Sequence, residues 1–97
     1  MSETAFYMLL ALRTPRHGYA IAKYVEELTH GRIKLGSGTI YGTLQKLKDD
    51  SLICVYDDSS NRISYELKSR GKTLLEKETV RLKAVVSDVE TASAQNE

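Results

Sequence analysis

The sequence predicts a mostly helical fold with one small β-hairpin: a winged helix-turn-helix followed by a C-terminal helix that suits dimerisation. Three observations carry this prediction. Two short amphipathic helical patterns are joined by a brief connector over residues 17–50. Two β-rich runs flanking a polar loop follow at once. A heptad-like apolar seam then occupies the last third of the chain. At 97 residues the chain fits one compact domain, with residues 1–70 as the winged helix-turn-helix region and 71–97 as the C-terminal helix and a frayed tail.

Ser2 caps a first helix that runs to Leu12 or Arg13, where Thr14-Pro15 breaks it. Ala5 to Leu12 is apolar all round, so one small domain cannot easily cover it, and a symmetric partner chain is the simplest second burial surface. The run is too short to span a bilayer, which needs about 20 residues. His17-Gly18 opens a second helix whose Ile21, Ala22, Val25 and Leu28 share one buried face, and His30-Gly31 closes it. A histidine can also ligate a metal or act as a base. Neither has a second ligand or nucleophile at a suggestive spacing, so both read as turn or cap residues.

Arg32 to Leu35 alternates as a short extended piece before the central helix. In that helix Ser37 and Thr39 can cap the start, Ile40, Leu44 and Leu47 form the buried stripe, and Ser51 ends the pattern. Gly42, Gln45 and Asp49 lie opposite the stripe, with Tyr41 and Lys46 on its shoulders. Composition alone reads that outer face as solvated. Its chemistry also suits DNA: Gln45 can pair with a base edge, Lys46 and Lys48 can reach phosphates, and Gly42 permits close approach.

Leu52 to Tyr56 and Ile63 to Leu67 read as two strands, and the loop between them has Ser59, Ser60, Asn61 and Arg62 at its tip. The hairpin either caps the core, as the carboxylates of Asp57 and Asp58 would favour, or serves as a wing whose Arg62 reaches a minor groove or phosphate. From Lys68 a last helix runs to about Thr91. Leu75, Thr79, Leu82, Val86 and Val89 form its seam, widened by Leu74 and Val85, and it should pack on the first helix of its own chain or a partner's. Across such a dimer, Tyr7, Leu10, Val85 and Val89 line a cleft that either admits a small effector or is simply filled interface.

Net charge is only +1, but its distribution is polarised. Between Arg13 and Lys48 seven basic residues face two acids, and between Arg62 and Lys72 four face one. A basic surface is compatible with that pattern. Cys54 is the single cysteine, which excludes an intrachain disulfide, favours a reducing, cytoplasmic setting and reads as a small core residue. A Gly-rich phosphate loop, metal-ligand spacing and a nucleophile paired with a base are all missing, so an enzyme is not expected, and no cofactor is. A dimerising protein-interaction module that does not touch DNA is the alternative to a DNA-binding regulator. The basic balance from Arg32 to Lys48 is what such a module would not require.

His17-Gly18-Tyr19-Ala20-Ile21, Glu26-Glu27-Leu28-Thr29, Gly38-Thr39-Ile40-Tyr41 with Leu44, Leu47 and Leu52-Ile53, then Tyr65-Glu66-Leu67 and Gly71-Lys72, together resemble the PadR family of bacterial transcriptional regulators. The resemblance covers about residues 5 to 90 in order. It implies a homodimeric winged-helix repressor whose C-terminal helix meets the first helix at the interface. It also implies binding to AT-rich inverted repeats in double-stranded DNA, with release by small aromatic or amphipathic compounds in several members. By position, Thr39 and Tyr41 match residues that contact DNA in the family. Lys68 stands where the family usually has a capping Thr, so Ser69 is expected to take that role one residue later. Ending after one C-terminal helix, the chain looks like the short subfamily. The candidate DNA-binding set is therefore Lys34, Ser37, Thr39, Tyr41, Gln45, Lys46, Lys48, Asn61 and Arg62, and the candidate dimer interface is Tyr7, Leu10, Leu75, Leu82, Val85, Val86 and Val89.

Overall fold

The computed structural model describes residues 1–59 and 61–95. Among them are four helices, α1 (Glu3–Ala11), α2 (Gly18–Leu28), α3 (Ser37–Asp49) and α4 (Ser69–Gln95), and three strands, β1 (Arg16–His17), β2 (Ile53–Asp57) and β3 (Ser64–Leu67). The strands form one antiparallel sheet in the order β1-β3-β2. The winged helix-turn-helix order is thus present, with a short extra strand that the sequence does not advertise.

The first two helices start at side-chain caps. The Ser2 hydroxyl accepts from the Ala5 amide at 3.0 Å, and His17 Nδ1 accepts from the Ala20 amide at 3.3 Å, so both predicted caps are in place. The start of α3 differs from expectation. Gly36 is the cap residue and makes no side-chain cap bond, which puts Ser37 and Thr39 at the first and third helical positions. Ser69 is the first residue of α4, not the residue before it, and the Lys72 amide bonds to the Lys68 carbonyl at 3.0 Å.

Two helices end in the same hydrogen-bonded motif, built around a left-handed residue that is not glycine. In α2 the amides of His30 and Gly31 bond to the carbonyls of Glu27 and Glu26. His30 itself, at φ 53°, occupies the position usually given to glycine, and Gly31 follows at φ 78°. In α3 the amides of Ser51 and Leu52 bond to the carbonyls of Lys48 and Leu47, with Ser51 at φ 62°. A side chain costs energy in that conformation, so Ser51→Gly is expected to raise stability by about 0.5–1 kcal/mol. Chemical denaturation measures this, and a lowered midpoint would contradict it.

The connector after α2 is irregular rather than a strand. Thr29 is buried and ties it down: its hydroxyl donates to the Val25 carbonyl at 2.8 Å and accepts from the Ile33 amide at 3.0 Å. The extended segment that joins the sheet is instead Arg16–His17, with Arg16 opposite Tyr65 and His17 opposite Ser64. Ile53 pairs with Leu67, Cys54 with Glu66 and Val55 with Tyr65, before a bulge at Tyr56 brings Asp57 opposite Ser64. Cys54 is half-buried and not one of the core residues.

Met8, Leu9 and Leu12 of the α1 region, Ile21 and Val25 of α2, and Ile40, Leu44 and Leu47 of α3 form the centre of the core. Ile53, Tyr65 and Leu67 close it from the sheet, and Leu75 closes it from α4. The predicted stripe of α3 is therefore the buried one. Phe6, Tyr7 and Leu10 are only half-buried, so the apolar α1 is incompletely covered by its own chain. Past Leu75, α4 leaves the core: Val80, Leu82, Val85, Val86 and Val89 are exposed. It stays helical to Gln95, so Ala92 to Gln95 are not the frayed tail expected, and Asn96 and Glu97 lie outside the described residues. Among the described residues no helix is long and apolar enough to cross a membrane.

Candidate nucleic-acid interface

Burial of Ile40, Leu44 and Leu47 turns the opposite side of α3 outward, and Gly38, Gly42, Gln45 and Asp49 recur on it at spacings of 4, 3 and 4. A methyl added at Gly38 or Gly42 would meet nothing within 4 Å. Each glycine costs a helix about 1 kcal/mol relative to alanine, and nothing inside the chain needs either one. Together they leave a bare strip of backbone on an exposed helix, which lets an external body approach closely.

Polar groups surround the strip. Ser37, Thr39, Tyr41, Gln45, Lys46 and Lys48 are all exposed on α3, and Lys34 is exposed on the connector before it. Lys46 and Lys48 also sit in the last helical turn, where a cation offsets the negative end of the helix dipole. Gln45 is engaged: its amide donates to Asp49 Oδ1 at 2.9 Å. The exposed pairing is worth about 0.2–0.5 kcal/mol, so the amide can exchange it for another acceptor.

Tyr41 is set by packing on α2. A methyl at Gly18 would come within 2.9 Å of its hydroxyl oxygen and 3.0 Å of Cζ, so the absence of a side chain at Gly18 is what lets the phenol lie there. Tyr65, beneath it, is buried, and burial first and the neighbouring Tyr41 second push its phenol above the ordinary range. It is therefore a neutral core residue that supports Tyr41.

The loop between β2 and β3 folds through Asp57, whose carboxylate accepts from the Ser59 amide at 3.3 Å and the Ser59 hydroxyl at 2.8 Å. Asn61 takes a left-handed conformation at φ 60°, and Arg62 is exposed on the far side of the loop. Ser60, the remaining predicted tip residue, lies outside the described residues. Arg62 turns back towards α2, with Nη1 3.2 Å from His17 Nε2. His17, Tyr19, Tyr41, Asn61 and Arg62 thereby border one cleft between α2, α3 and the loop. The sequence alone gives His17 the role of a turn or cap residue and does not bring Tyr19 to the site. The His-Gly-Tyr run was a signal, but Arg62 meets it from 45 residues away.

Not every cation near the site faces outward. Arg16 bonds through Nη1 to the Ala11 carbonyl, and its guanidinium lies 4.1 Å from the centre of the Tyr24 ring. Arg13 donates to the Leu10 carbonyl and the Tyr24 hydroxyl, and Arg32 donates to the Tyr7 hydroxyl at 2.9 Å. Three of the seven cations counted between Arg13 and Lys48 thus hold the α1 end of the domain together. The predicted dimer and effector residues are also dispersed in one chain. Leu75 is in the core, whereas Leu82, Val85, Val86 and Val89 are exposed along α4. A cavity of about 330 Å³ between α1 and α4 is bordered by Phe6, Tyr7, Glu78, Arg81 and Leu82, so of the four candidate cleft residues only Tyr7 reaches it. There Arg81 makes two hydrogen bonds to Glu78 and holds its carboxyl below the usual range. Among the described residues no cluster of His, Cys, Asp and Glu could hold a metal.

A short helix-turn-helix, an outward α3 with a bare glycine strip and a hairpin flanking it define a winged helix-turn-helix protein. The sequence model of the "Transcriptional regulator PadR-like family" matches residues 8–77, and the chain belongs to that family, whose members are transcription regulators rather than enzymes. It is 34% identical over 64 residues to the transcriptional regulator YqjI of Escherichia coli (strain K12), which covers 66% of this chain and 31% of that protein. The chain thus spans about a third of the length of the curated relatives it matches. Among solved structures, a PadR family transcription regulator from Clostridium difficile R20291 superposes with a TM-score of 0.80 at 25% identity, covering 93% of this chain and 97% of that one. Bacillus subtilis PadR in complex with operator DNA superposes with a TM-score of 0.71 at 25% identity, covering 82% of this chain and 48% of that one.

Proposed function

We propose that this chain is a homodimeric transcriptional repressor that binds an AT-rich inverted repeat in double-stranded DNA through α3. The observation that carries the reading is the bare strip of Gly38 and Gly42 on an exposed helix with Tyr41, Gln45 and Lys46 around it. Family membership and the likeness to a relative solved with operator DNA support it. Two copies of α3 related by a two-fold axis would enter successive major grooves, with half-sites about 10 bp apart or a multiple of that. The exposed α4 residues Leu82, Val85, Val86 and Val89, with Tyr7 and Leu10 of the half-covered α1, supply the dimer surface in this reading. A small aromatic effector held by Tyr7, Leu10, Val85 and Val89 across the dimer would release DNA only through unequal affinity for the two spacings of α3.

The proposed contacts divide by chemistry. Lys34, Lys46, Lys48 and Arg62 take phosphates, Ser37, Thr39 and Asn61 position the backbone, and Tyr41 and Gln45 discriminate bases. Lys46→Ala is expected to weaken cognate and scrambled duplexes alike and to lower the salt slope by about one unit. Gln45→Ala is expected to cost about 1–3 kcal/mol on the cognate duplex and much less on the scrambled one. Fluorescence anisotropy across a salt series reads both. An unchanged slope removes Lys46 from the phosphate contacts, and equal losses on both duplexes remove Gln45 from base readout.

A further inference from the structure

His17 sits between two hydrogen-bond donors. Its Nδ1 accepts from the Ala20 amide at 3.3 Å, and its Nε2 lies 3.2 Å from Arg62 Nη1. A neutral imidazole offers one acceptor nitrogen and one N–H. If Nδ1 takes the Ala20 hydrogen, Nε2 carries its own hydrogen and points it at a guanidinium N–H. The other tautomer accepts from Arg62 but turns an N–H towards the Ala20 amide. The imidazolium has no acceptor and adds a positive charge beside Arg62. No protonation state of His17 satisfies both neighbours.

An oxygen with free lone pairs, seated between Nε2 and the guanidinium, would take both hydrogens and leave the helix cap intact. The surroundings favour an anionic oxygen. The cleft, about 340 Å³, is bordered by Tyr19, Tyr41 and Asn61 as well as His17 and Arg62, and none of its described lining residues carries a carboxylate. Tyr19 is 71% exposed and stacks against His17, with centroids 6.4 Å apart and planes 13° apart, so an aromatic ring flanks the imidazole at the cleft. Tyr41 belongs to both the cleft and the shoulder of the bare strip on α3, which makes the two surfaces continuous.

We infer that His17 and Arg62 together grip one DNA phosphate, His17 Nε2–H and the Arg62 guanidinium donating to its oxygens, between the start of α2 and the wing. The inference rests on the DNA-binding reading above and adds a residue to it. His17 positions Arg62 in free protein only through a mismatched contact, and DNA resolves the mismatch. The wing is thereby registered against α3 at the moment of binding.

His17→Asn separates the two roles of the side chain. Asparagine is among the best cap residues, so its Oδ1 can keep the Ala20 bond, but it has no group at the position of Nε2. The experiment is an anisotropy titration of wild type, His17→Asn and Arg62→Gln against duplex from upstream of the chain's own gene. Companion duplexes each carry one neutral methylphosphonate linkage, scanned along a half-site. Wild type is expected to lose about tenfold in affinity at one linkage, the size of a hydrogen bond to a charged group. His17→Asn is expected to lose about tenfold on unmodified DNA at an unchanged thermal midpoint, and to show no further loss at that linkage. Arg62→Gln leaves the cap alone and should abolish the same linkage's penalty while lowering the salt slope by about one unit, which holds even if the His17 variant folds poorly. Both variants retaining the linkage penalty, or His17→Asn binding as wild type does, would overturn the inference and leave the DNA-binding reading standing. Wild type failing to bind any duplex would overturn both.

Discussion

Gly71→Ala is expected to lower the stability of the fold by about 3 kcal/mol, a drop of roughly 12–20 °C in thermal midpoint for a domain of this size. Gly71 is buried in the first turn of α4, and a methyl there would fall 2.2 Å from the Leu52 carbonyl oxygen, 3.1 Å from its carbon and 3.3 Å from Leu67 Cδ2. Backbone, not a flexible side chain, stands in the way. That carbonyl also accepts from the Lys68 amide at 3.0 Å, and the Leu52 amide closes the end of α3 through Leu47. The obstruction therefore cannot be relieved by rotating one bond. Either α4 swings away from the sheet or the end of α3 moves with Leu52. Thermal or urea unfolding measures the loss, and a variant within 1 kcal/mol of wild type would show that α4 does not dock as described.

Val86→Asp is expected to leave the monomer folded, to abolish the proposed dimer and to lower affinity for an inverted repeat by about a hundredfold or more. Val86 is 56% exposed within one chain, so the substitution removes little of the intrachain core. In the proposed dimer the same residue lies among Leu82, Val85 and Val89, where an unpaired carboxylate is costly to desolvate. The affinity loss follows from geometry: once one α3 is bound, the second reaches its half-site at a high effective concentration, and a monomer loses that advantage. Sedimentation velocity and anisotropy on the same preparations read the two effects. A Val86→Asp variant that stays dimeric would place the interface elsewhere on the chain.

Much of this fold was legible because its helices obey local rules. Ser2 and His17 cap as expected, and the Ile40, Leu44 and Leu47 stripe is buried as its spacing requires. The outward chemistry of α3 followed from the same stripe. Features made by residues distant in sequence were not legible. A two-residue strand has no periodicity, so Arg16–His17 was visible only once Tyr65 and Ser64 paired with it. The cations Arg13, Arg16 and Arg32 add to a basic balance in the sequence, which does not show that all three bond to Tyr24, Tyr7 or the α1 carbonyls and that Arg16 is partly buried there. Gly18 and Gly71 belonged to recognisable motifs, but their reasons are the Tyr41 phenol and the Leu52 carbonyl, brought up from other elements. Left-handed His30 and Ser51 take the place usually given to glycine, which blurred the helix ends.

Whether the outward face of α3 reads DNA is measured by an anisotropy titration of the purified chain. The labelled duplex is taken from upstream of its own gene, scrambled duplex serves as competitor, and salt is varied. Binding is expected to prefer the upstream duplex and to weaken steeply with salt, as the proposed phosphate contacts from Lys34, Lys46, Lys48 and Arg62 on each of two subunits require. No binding to either duplex at low salt would contradict it and favour a winged helix that recognises another protein.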